Sequence, residues 1–88
     1  MERSEVYKLI DGERLYQLTK WNEHTSTSKG IHTPEEWIVY MEDYLLEAKH
    51  ILSREPMPGC AEKAMESIRK VTTMGVAAME QNGCEPRK

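Results

Sequence analysis

The fold is decided by residues 33–54, which read TPEEWIVYMEDYLLEAKHILSR. Thr33 and Glu36 have the spacing of a capping box, and Pro34 stands at the start of the first helical turn, where its missing N–H costs nothing. Apolar side chains then recur at steps of three and four, which places them on one face of an α-helix. They are Trp37, Met41, Tyr44, Leu45, Ala48, Ile51 and Leu52. The pattern predicts an amphipathic helix over residues 33–54.

A second long helix follows after a tight reversal. Pro56, Pro58 and Gly59 end the first helix and turn the chain, while Gly83 and Pro86 are typical of a helix that ends near residue 82. Small and apolar residues of this last helix, residues 60–82, are expected to pack on the helix of residues 33–54. They are Ala61, Ala64, Met65, Ile68, Val71, Thr72, Gly75, Ala78 and Met79. The two helices are thus predicted to form an antiparallel hairpin.

The N-terminal third predicts a shorter helix and a loop. Residues 1–21 carry a thin apolar stripe, interrupted by Gly12, which weakens a helix by up to about 1 kcal/mol relative to alanine. Residues 22–32, NEHTSTSKGIH, have no periodicity and are rich in Ser and Thr, which is typical of a loop. A loop of this length in a small protein suggests a binding role, and a plain connector is the alternative. Residues 1–88 are therefore expected to form one all-α domain.

Composition favours assembly into a homo-oligomer. The 88-residue chain has no Phe and six Met, and a domain of this size buries only a modest share of its surface. Met74, Val76 and Ala77 add apolar surface on the side of the last helix that faces away from the hairpin. A surface helix of a monomer does not need such a second apolar side. We therefore expect this side to form an oligomer interface.

Charge and hydropathy exclude several classes of protein. The formal net charge of -3 argues against a sequence-independent DNA-binding protein, which needs a basic face. No apolar run has the length of a membrane span and no signal peptide is visible, so we expect a soluble intracellular protein without a membrane partner. Cys60 and Cys84 would lie about 35 Å apart along the last helix, too far for a disulfide within one protomer. Without a Cys-x-x-Cys pair we expect free thiols and no zinc.

Two short patterns resemble metal sites. Glu47 and His50 have the Glu-x-x-His spacing of di-iron carboxylate bundles, although both lie toward the polar side of their helix and a solvated face is the simpler interpretation. Glu2 and Glu5 resemble half of the magnesium-binding signature of MazG-like nucleotide pyrophosphohydrolases, whose second half is missing. We therefore predict neither a bound metal nor another cofactor, and we keep the pyrophosphohydrolase as an alternative.

Aromatic and basic residues alternate in the N-terminal helix and the loop. They are Tyr7, Lys8, Arg14, Tyr16, Lys20, Trp21 and Lys29. Aromatic rings stack on bases and cations bind phosphates, so this combination is typical of a nucleotide-binding surface. Ser28 and Lys29 add a hydroxyl and an ammonium group suited to phosphate oxygens, although the glycine spacing of a Walker motif is absent. The alternative is that Tyr16 and Trp21 only pack the first helix onto the hairpin.

Three segments resemble a known family. They are LIDGERLYQ at residues 9–17, EEWIVYMEDYLLEAKHIL at residues 35–52 and AMESIRKVTTMGVAAMEQNGCEP at residues 64–86. In this order, and with a polar lysine-containing loop between the first two, the chain resembles the phage anti-CBASS cyclic-oligonucleotide sponge family, which includes the T-even phage Vs protein type. The resemblance extends over nearly the whole chain.

The resemblance implies sequestration without catalysis. Members of the family are hexamers of helical protomers that bind cyclic dinucleotides such as 3′,3′-cGAMP intact, in the cytoplasm of the infected bacterium, and so deprive the CBASS effector of its activator. Their dinucleotide pockets form between protomers from the N-terminal region, with a tyrosine that stacks on a base and a lysine on a phosphate. Here the resemblance implies Tyr7 or Tyr16 as the tyrosine and Lys20 or Lys29 as the lysine, with Ser28 beside it.

The resemblance also implies a second site and leaves one further alternative. Members of the family bind cyclic trinucleotides, such as cyclic triadenylate, near a threefold axis through an arginine and its neighbours on the last helix. Arg69, Thr72 and Thr73 occupy that position here. A helical adaptor that acts through protein–protein contacts remains the alternative to both kinds of nucleotide binding.

Overall fold

The computed structural model describes residues 1–20, 30–54 and 58–88. These residues form three helices, α1 (Arg3–Lys20), α2 (Pro34–Arg54) and α3 (Cys60–Asn82), and the described part of the chain contains no strand. The all-α prediction is confirmed. The predicted helices over residues 33–54 and 60–82 agree with α2 and α3, and α1 continues unbroken through Gly12. Most of the predicted loop, residues 22–29, lies outside the described residues, as does residue 21.

The capping box begins α2 as its sequence predicts. Thr33 Oγ1 accepts a 3.2 Å hydrogen bond from the backbone N–H of Glu36, and the Glu36 carboxylate accepts one of 2.9 Å from the backbone N–H of Thr33. These bonds satisfy two N–H groups that have no partner inside the helix. The backbone N–H and then the hydroxyl of Thr33 hold the pKa of Glu36 below its ordinary value of 4.5, and the nearby His32 lowers it further.

The middle element of the fold is α3, with the other two helices packed on it. Trp37 near the start of α2 meets Gln81 near the end of α3, and the Met41 methyl lies 3.7 Å from the position that a Cβ on Gly75 would take. The two helices are therefore antiparallel, as the hairpin prediction requires. α1 packs against α3 as well, whereas α1 and α2 do not pack on each other within the described residues.

The core differs from the predicted packing of α3. Trp37, Met74 and Ala77 are its buried apolar residues, although Met74 and Ala77 were expected on the outward side of α3. Met65 and Met79, which were expected to pack on α2, are more than half exposed. Ile68 on the same predicted face is nearly half exposed. Gly75 and Ala78 face α2 and its core as predicted, whereas the placement of Met65 and Met79 on that face, and of Met74 and Ala77 at an oligomer interface, was wrong. The reason is that α2 packs on the side of α3 that carries Met74 and Ala77, with Trp37 in the same cluster and Met41 against it.

Two ion pairs fix α1 to α3. Arg69 Nε donates a 2.8 Å hydrogen bond to Glu13 Oε1, whose side chain is 9% exposed. Arg14 binds both carboxylate oxygens of Glu80 through two of its nitrogens, at 3.0 to 3.2 Å. A planar guanidinium suits such a two-point contact better than a lysine would. The orientation of α1 on α3 is therefore set by charged pairs as well as by apolar packing.

Two further sequence expectations can be compared with the fold. Cys60 is half-buried and Cys84 is exposed, and the two are not joined by a disulfide. Among the helices in the described ranges, none has both the length and the apolar character that crossing a membrane requires.

Candidate functional site

A cleft opens where α1 and α2 stand apart over α3. Because these two helices do not pack on each other within the described residues, α3 forms the floor between them. We call this space the tyrosine–lysine cleft, and its volume is about 130 Å³. Its lining consists of Glu13, Tyr16, Gln17, Lys20, Tyr44, Lys70 and Met74. All three helices therefore contribute to one concave surface.

Tyr16 and Lys20 lie together on α1, as the nucleotide-surface prediction needs. They are four residues apart, so both side chains are on the same face of the helix. Lys20 Nζ lies 5.6 Å from the centroid of the Tyr16 ring, which is within cation–π range. The Tyr16 side chain is 52% exposed. The ring therefore keeps a surface on which a planar group can stack.

Tyr44 of α2 and Lys70 of α3 complete the cleft. Sequence reasoning placed Tyr44 on the apolar packing face of its helix, but the residue is 39% exposed and lines the cleft opposite α1. Lys70 is exposed on α3 beside it. Neither residue has a motif that singles it out, because they become neighbours of Tyr16 and Lys20 only through packing. The cleft thus combines two phenol rings with two ammonium groups.

The cleft continues into a second space between α2 and α3. Tyr44 and Lys70 line both, and the second space has a volume of about 260 Å³. Pockets for small molecules usually measure about 300–1,000 Å³. The tyrosine–lysine cleft alone is smaller than this range. A ligand of nucleotide size would therefore extend from the cleft along the α2–α3 groove.

Gln17 is the buried polar residue of the cleft. Its side chain is 4% exposed, and its Nε2 donates a long hydrogen bond of 3.4 Å to the backbone carbonyl of Lys70. Its Oε1 is shielded from solvent and has no hydrogen-bond partner among the described residues. Buried acceptors are normally satisfied, so this oxygen is an exception that needs an explanation.

The other residues predicted for a dinucleotide site are not in the cleft. Tyr7 is 59% exposed on α1, and its nine-residue offset from Tyr16 places it on about the opposite side of the helix. The two tyrosines therefore cannot serve one cleft in one protomer. Ser28 and Lys29 lie outside the described residues, so their predicted role stays a prediction.

The three residues predicted for a trinucleotide site separate into two environments. Arg69 and Thr72 line an apolar groove between α1 and α3, and Arg69 is already paired with Glu13. Thr73 instead is completely buried, and its hydroxyl donates a 2.7 Å hydrogen bond to the carbonyl of Arg69. The prediction that Thr73 shares a ligand-binding surface with Arg69 and Thr72 was wrong. Consecutive residues of a helix point about 100° apart, so Thr72 and Thr73 face different surroundings.

The groove that Arg69 and Thr72 line is a wide concave surface between α1 and α3. We call it the α1–α3 groove, and its volume is about 620 Å³. Its lining consists of Met1, Val6, Leu9, Ile10, Ala61, Glu62, Met65, Glu66, Ile68, Arg69 and Thr72. Leu9, Met65 and Ile68 are each about half exposed or more. Apolar side chains at such exposure, gathered in one place, are typical of an interaction surface.

The two metal-like patterns do not gather ligands. Glu47 and His50 are exposed on α2, and Glu2 and Glu5 are exposed at the N-terminal end of α1. In residues 1–20, 30–54 and 58–88 no group of three or more His, Cys, Asp or Glu side chains is arranged to hold a metal ion. The cleft itself contributes one carboxylate, Glu13, which is engaged by Arg69. The described residues therefore lend the MazG-like alternative no support.

Comparison of the chain with protein-family models, with curated proteins and with solved structures gives no match.

Proposed function

We propose that the protein binds a cyclic dinucleotide such as 3′,3′-cGAMP and sequesters it intact, in the manner of the phage anti-CBASS sponges that its sequence resembles. The observation that carries the proposal is the convergence of Tyr16 and Lys20 with Tyr44 and Lys70 in the tyrosine–lysine cleft. Two of these residues were expected from the sequence, and the other two supply the same chemistry from different helices.

The cleft suits a planar anionic ligand. A nucleobase gains about 1–3 kcal/mol when it stacks on an aromatic side chain, and either tyrosine offers a partly exposed ring. Ammonium groups form charge-assisted hydrogen bonds with phosphate oxygens. Lys20 and Lys70 stand on different helices around the same space, so they can contact two phosphates of one ligand. The charged side chains of the lining are Lys20, Lys70 and Glu13, so lysines outnumber carboxylates here although the chain as a whole carries -3.

Sequestration requires binding without turnover. We assign no catalytic residue to the cleft, because its carboxylate, Glu13, is held by Arg69 at 2.8 Å rather than directed at a reacting group. A sponge competes with an effector for its activator, so nanomolar affinity, about -12 kcal/mol, is expected. Most of the cleft is built from helices fixed by ion pairs and a packed core, which lowers the ordering cost of binding.

The proposal includes assembly of several copies, a hexamer by the resemblance. The α1–α3 groove is our candidate interface, because the apolar side chains of Leu9, Met65 and Ile68 are exposed in it. Among the described residues the chain buries Trp37 and a few smaller side chains almost completely, so a second copy on the groove would add buried area. Arg69 at the edge of the groove would then lie at a protomer junction, where a cyclic trinucleotide could reach it.

The same groove favours one other function. A helical adaptor would use the exposed apolar side chains of Val6, Leu9 and Ile68 to bind an amphipathic helix of another protein. Under that alternative the tyrosine–lysine cleft would have no ligand. Binding of a cyclic nucleotide therefore separates the two functions.

The test is calorimetric titration of the purified protein with 3′,3′-cGAMP, followed by heat release and chromatography of the recovered ligand. Tight binding and recovery of the intact cyclic nucleotide are expected. Recovery of a linear product would overturn sequestration in favour of an enzyme. The absence of binding would overturn the nucleotide proposal, and binding of partner proteins by the α1–α3 groove would then be the function to pursue.

A further inference from the structure

The side-chain amide of Gln17 has only one orientation that its surroundings accept. The backbone carbonyl of Lys70 can only accept a hydrogen bond, so the amide nitrogen of Gln17 must face it, as it does at 3.4 Å. A reversed amide would bring two oxygens together. Oε1 is thereby directed away from Lys70 O and left without a partner among the described residues.

This orientation costs free energy unless a donor arrives. A buried acceptor that lacks a hydrogen bond loses its solvation without compensation. A leucine or methionine in the same position would fill the space between α1 and α3 without that cost. Gln17 is moreover the residue directly after Tyr16 and lines the same cleft, which also holds Lys20 and Lys70. The unpaired oxygen therefore belongs to a residue of the cleft lining, although the atom itself is shielded from solvent.

We infer that Gln17 is a specificity-determining residue of the cleft, whose Oε1 accepts a hydrogen bond from an N–H donor on the edge of a bound nucleobase. The inference rests on the proposed function, because it assigns a role to one atom of the same site. Oε1 is shielded in the unliganded protein, so a base reaches it only after side chains that line the cleft move. The tyrosines then hold the base by its face and Gln17 reads its edge.

Adenine gives the sharpest probe of this role. In a nucleotide its 6-amino group is the only N–H donor of the base, because the ring nitrogen joined to the ribose carries no hydrogen. A purine ring without the amino group keeps its stacking surface and the same phosphates. Cyclic di-AMP and the cyclic dinucleotide of purine riboside therefore differ only in the amino group, from which Gln17 Oε1 would accept a hydrogen bond.

The experiment is calorimetric titration of wild-type protein and of Gln17→Met with both cyclic dinucleotides. Methionine matches the length of glutamine and keeps the packing, while it removes the acceptor. We expect the wild type to bind cyclic di-AMP about tenfold more tightly than the purine analogue, and the variant to bind the two ligands equally. Equal binding by the wild type, or a preference that survives in the variant, would overturn the role of Gln17.

The outcomes separate this inference from the function on which it rests. If the wild type binds both ligands without preference, sequestration stands and the role of Gln17 fails. If it binds neither, both fail. The wild-type comparison needs no variant, so it decides the question even if Gln17→Met folds poorly. Thermal unfolding without ligand checks that the variant is folded before its titration, because methionine also removes the hydrogen bond from Gln17 Nε2 to the Lys70 carbonyl.

Discussion

The indole Nε1 of Trp37 donates a 2.9 Å hydrogen bond to Oε1 of Gln81. The same oxygen accepts a 3.1 Å bond from the backbone N–H of His32, and the Gln81 amide nitrogen donates a 2.7 Å bond to the carbonyl of Gly30. One side chain at the end of α3 thus satisfies the largest core residue and holds the segment that leads into α2. The position of residues 30–32 relative to the hairpin depends on it.

Replacement of Gln81 by leucine should destabilise the protein by about 2–3 kcal/mol, because it leaves the indole N–H and two backbone groups without partners. Urea unfolding followed by tryptophan fluorescence and circular dichroism measures the loss. Asn82→Ala is the matched control, since the exposed Asn82 gives up one 3.2 Å bond to the carbonyl of His32 together with a bond inside its own helix. A Gln81→Leu variant no less stable than the control would contradict the role assigned to Gln81.

The capping box should give the stability of the protein a pH dependence in acid. The pKa of Glu36 is lower in the folded protein than its ordinary value of 4.5, so the carboxylate favours folding at pH values above 4.5 and this contribution disappears as the pH falls through the folded pKa. Glu36→Gln keeps a capping side chain without the charge. Its stability should therefore change less than that of the wild type below pH 4.5, measured by thermal unfolding. Parallel curves for the two proteins would refute the assignment.

Two glycines of the α3 region should respond to alanine in opposite directions. In Gly75→Ala the new Cβ would meet the Met41 methyl at an ordinary 3.7 Å, so helix propensity dominates and the protein should gain about 0.5–1 kcal/mol. Gly59 precedes α3 with a φ of 94°, which alanine rarely adopts, so Gly59→Ala should lose stability. Gly12→Ala, where no atom lies within 4 Å, gives the propensity gain alone. A destabilised Gly75→Ala variant would mean that α2 and α3 pack more tightly than described.

Within α1, ligand binding should distinguish two tyrosines. Tyr16→Ala removes a ring of the tyrosine–lysine cleft and should weaken 3′,3′-cGAMP binding by about 1–3 kcal/mol, whereas Tyr7→Ala is the matched control on the other side of the helix. The single variant Lys20→Ala should also weaken binding, and it should reduce the dependence of the affinity on salt concentration. Calorimetry at two ionic strengths measures both effects. A larger loss for Tyr7→Ala than for Tyr16→Ala would move the site away from the cleft.

Assembly should depend on the α1–α3 groove. Ile68→Glu places a charge among the apolar side chains of the groove and should shift the protein toward monomers in sedimentation velocity at micromolar concentration. Met79→Glu is the control, because Met79 is exposed on α3 without lining the groove. A wild type that sediments as a monomer would refute the proposed assembly. Dissociation by the control alone would place the interface elsewhere on α3.

Several features could be read from the chain because local interactions determine them. The start of α2 follows from the cap at Thr33 and Glu36, and its end follows from Pro56. Each signal acts on residues only a few positions away along the chain. The hairpin follows from the short connection between two amphipathic helices. The pairing of Tyr16 with Lys20 follows from a four-residue spacing on one helix, so two of the four tyrosine and lysine residues of the cleft were predicted from the sequence.

Only the tertiary structure decided which helix lies in the middle and what lines the cleft. The sequence determined three helices and their apolar residues, but the docking of α1 on α3 depends on pairs such as Glu13 with Arg69, which are far apart in the chain. In the folded protein Met74 is buried in a cluster with Trp37 of α2, Met65 stays exposed in the α1–α3 groove, and Lys70 lines the same cleft as Tyr16. Periodicity gives the faces of a helix, whereas the choice of face that becomes core depends on contacts between distant residues, which no local pattern encodes.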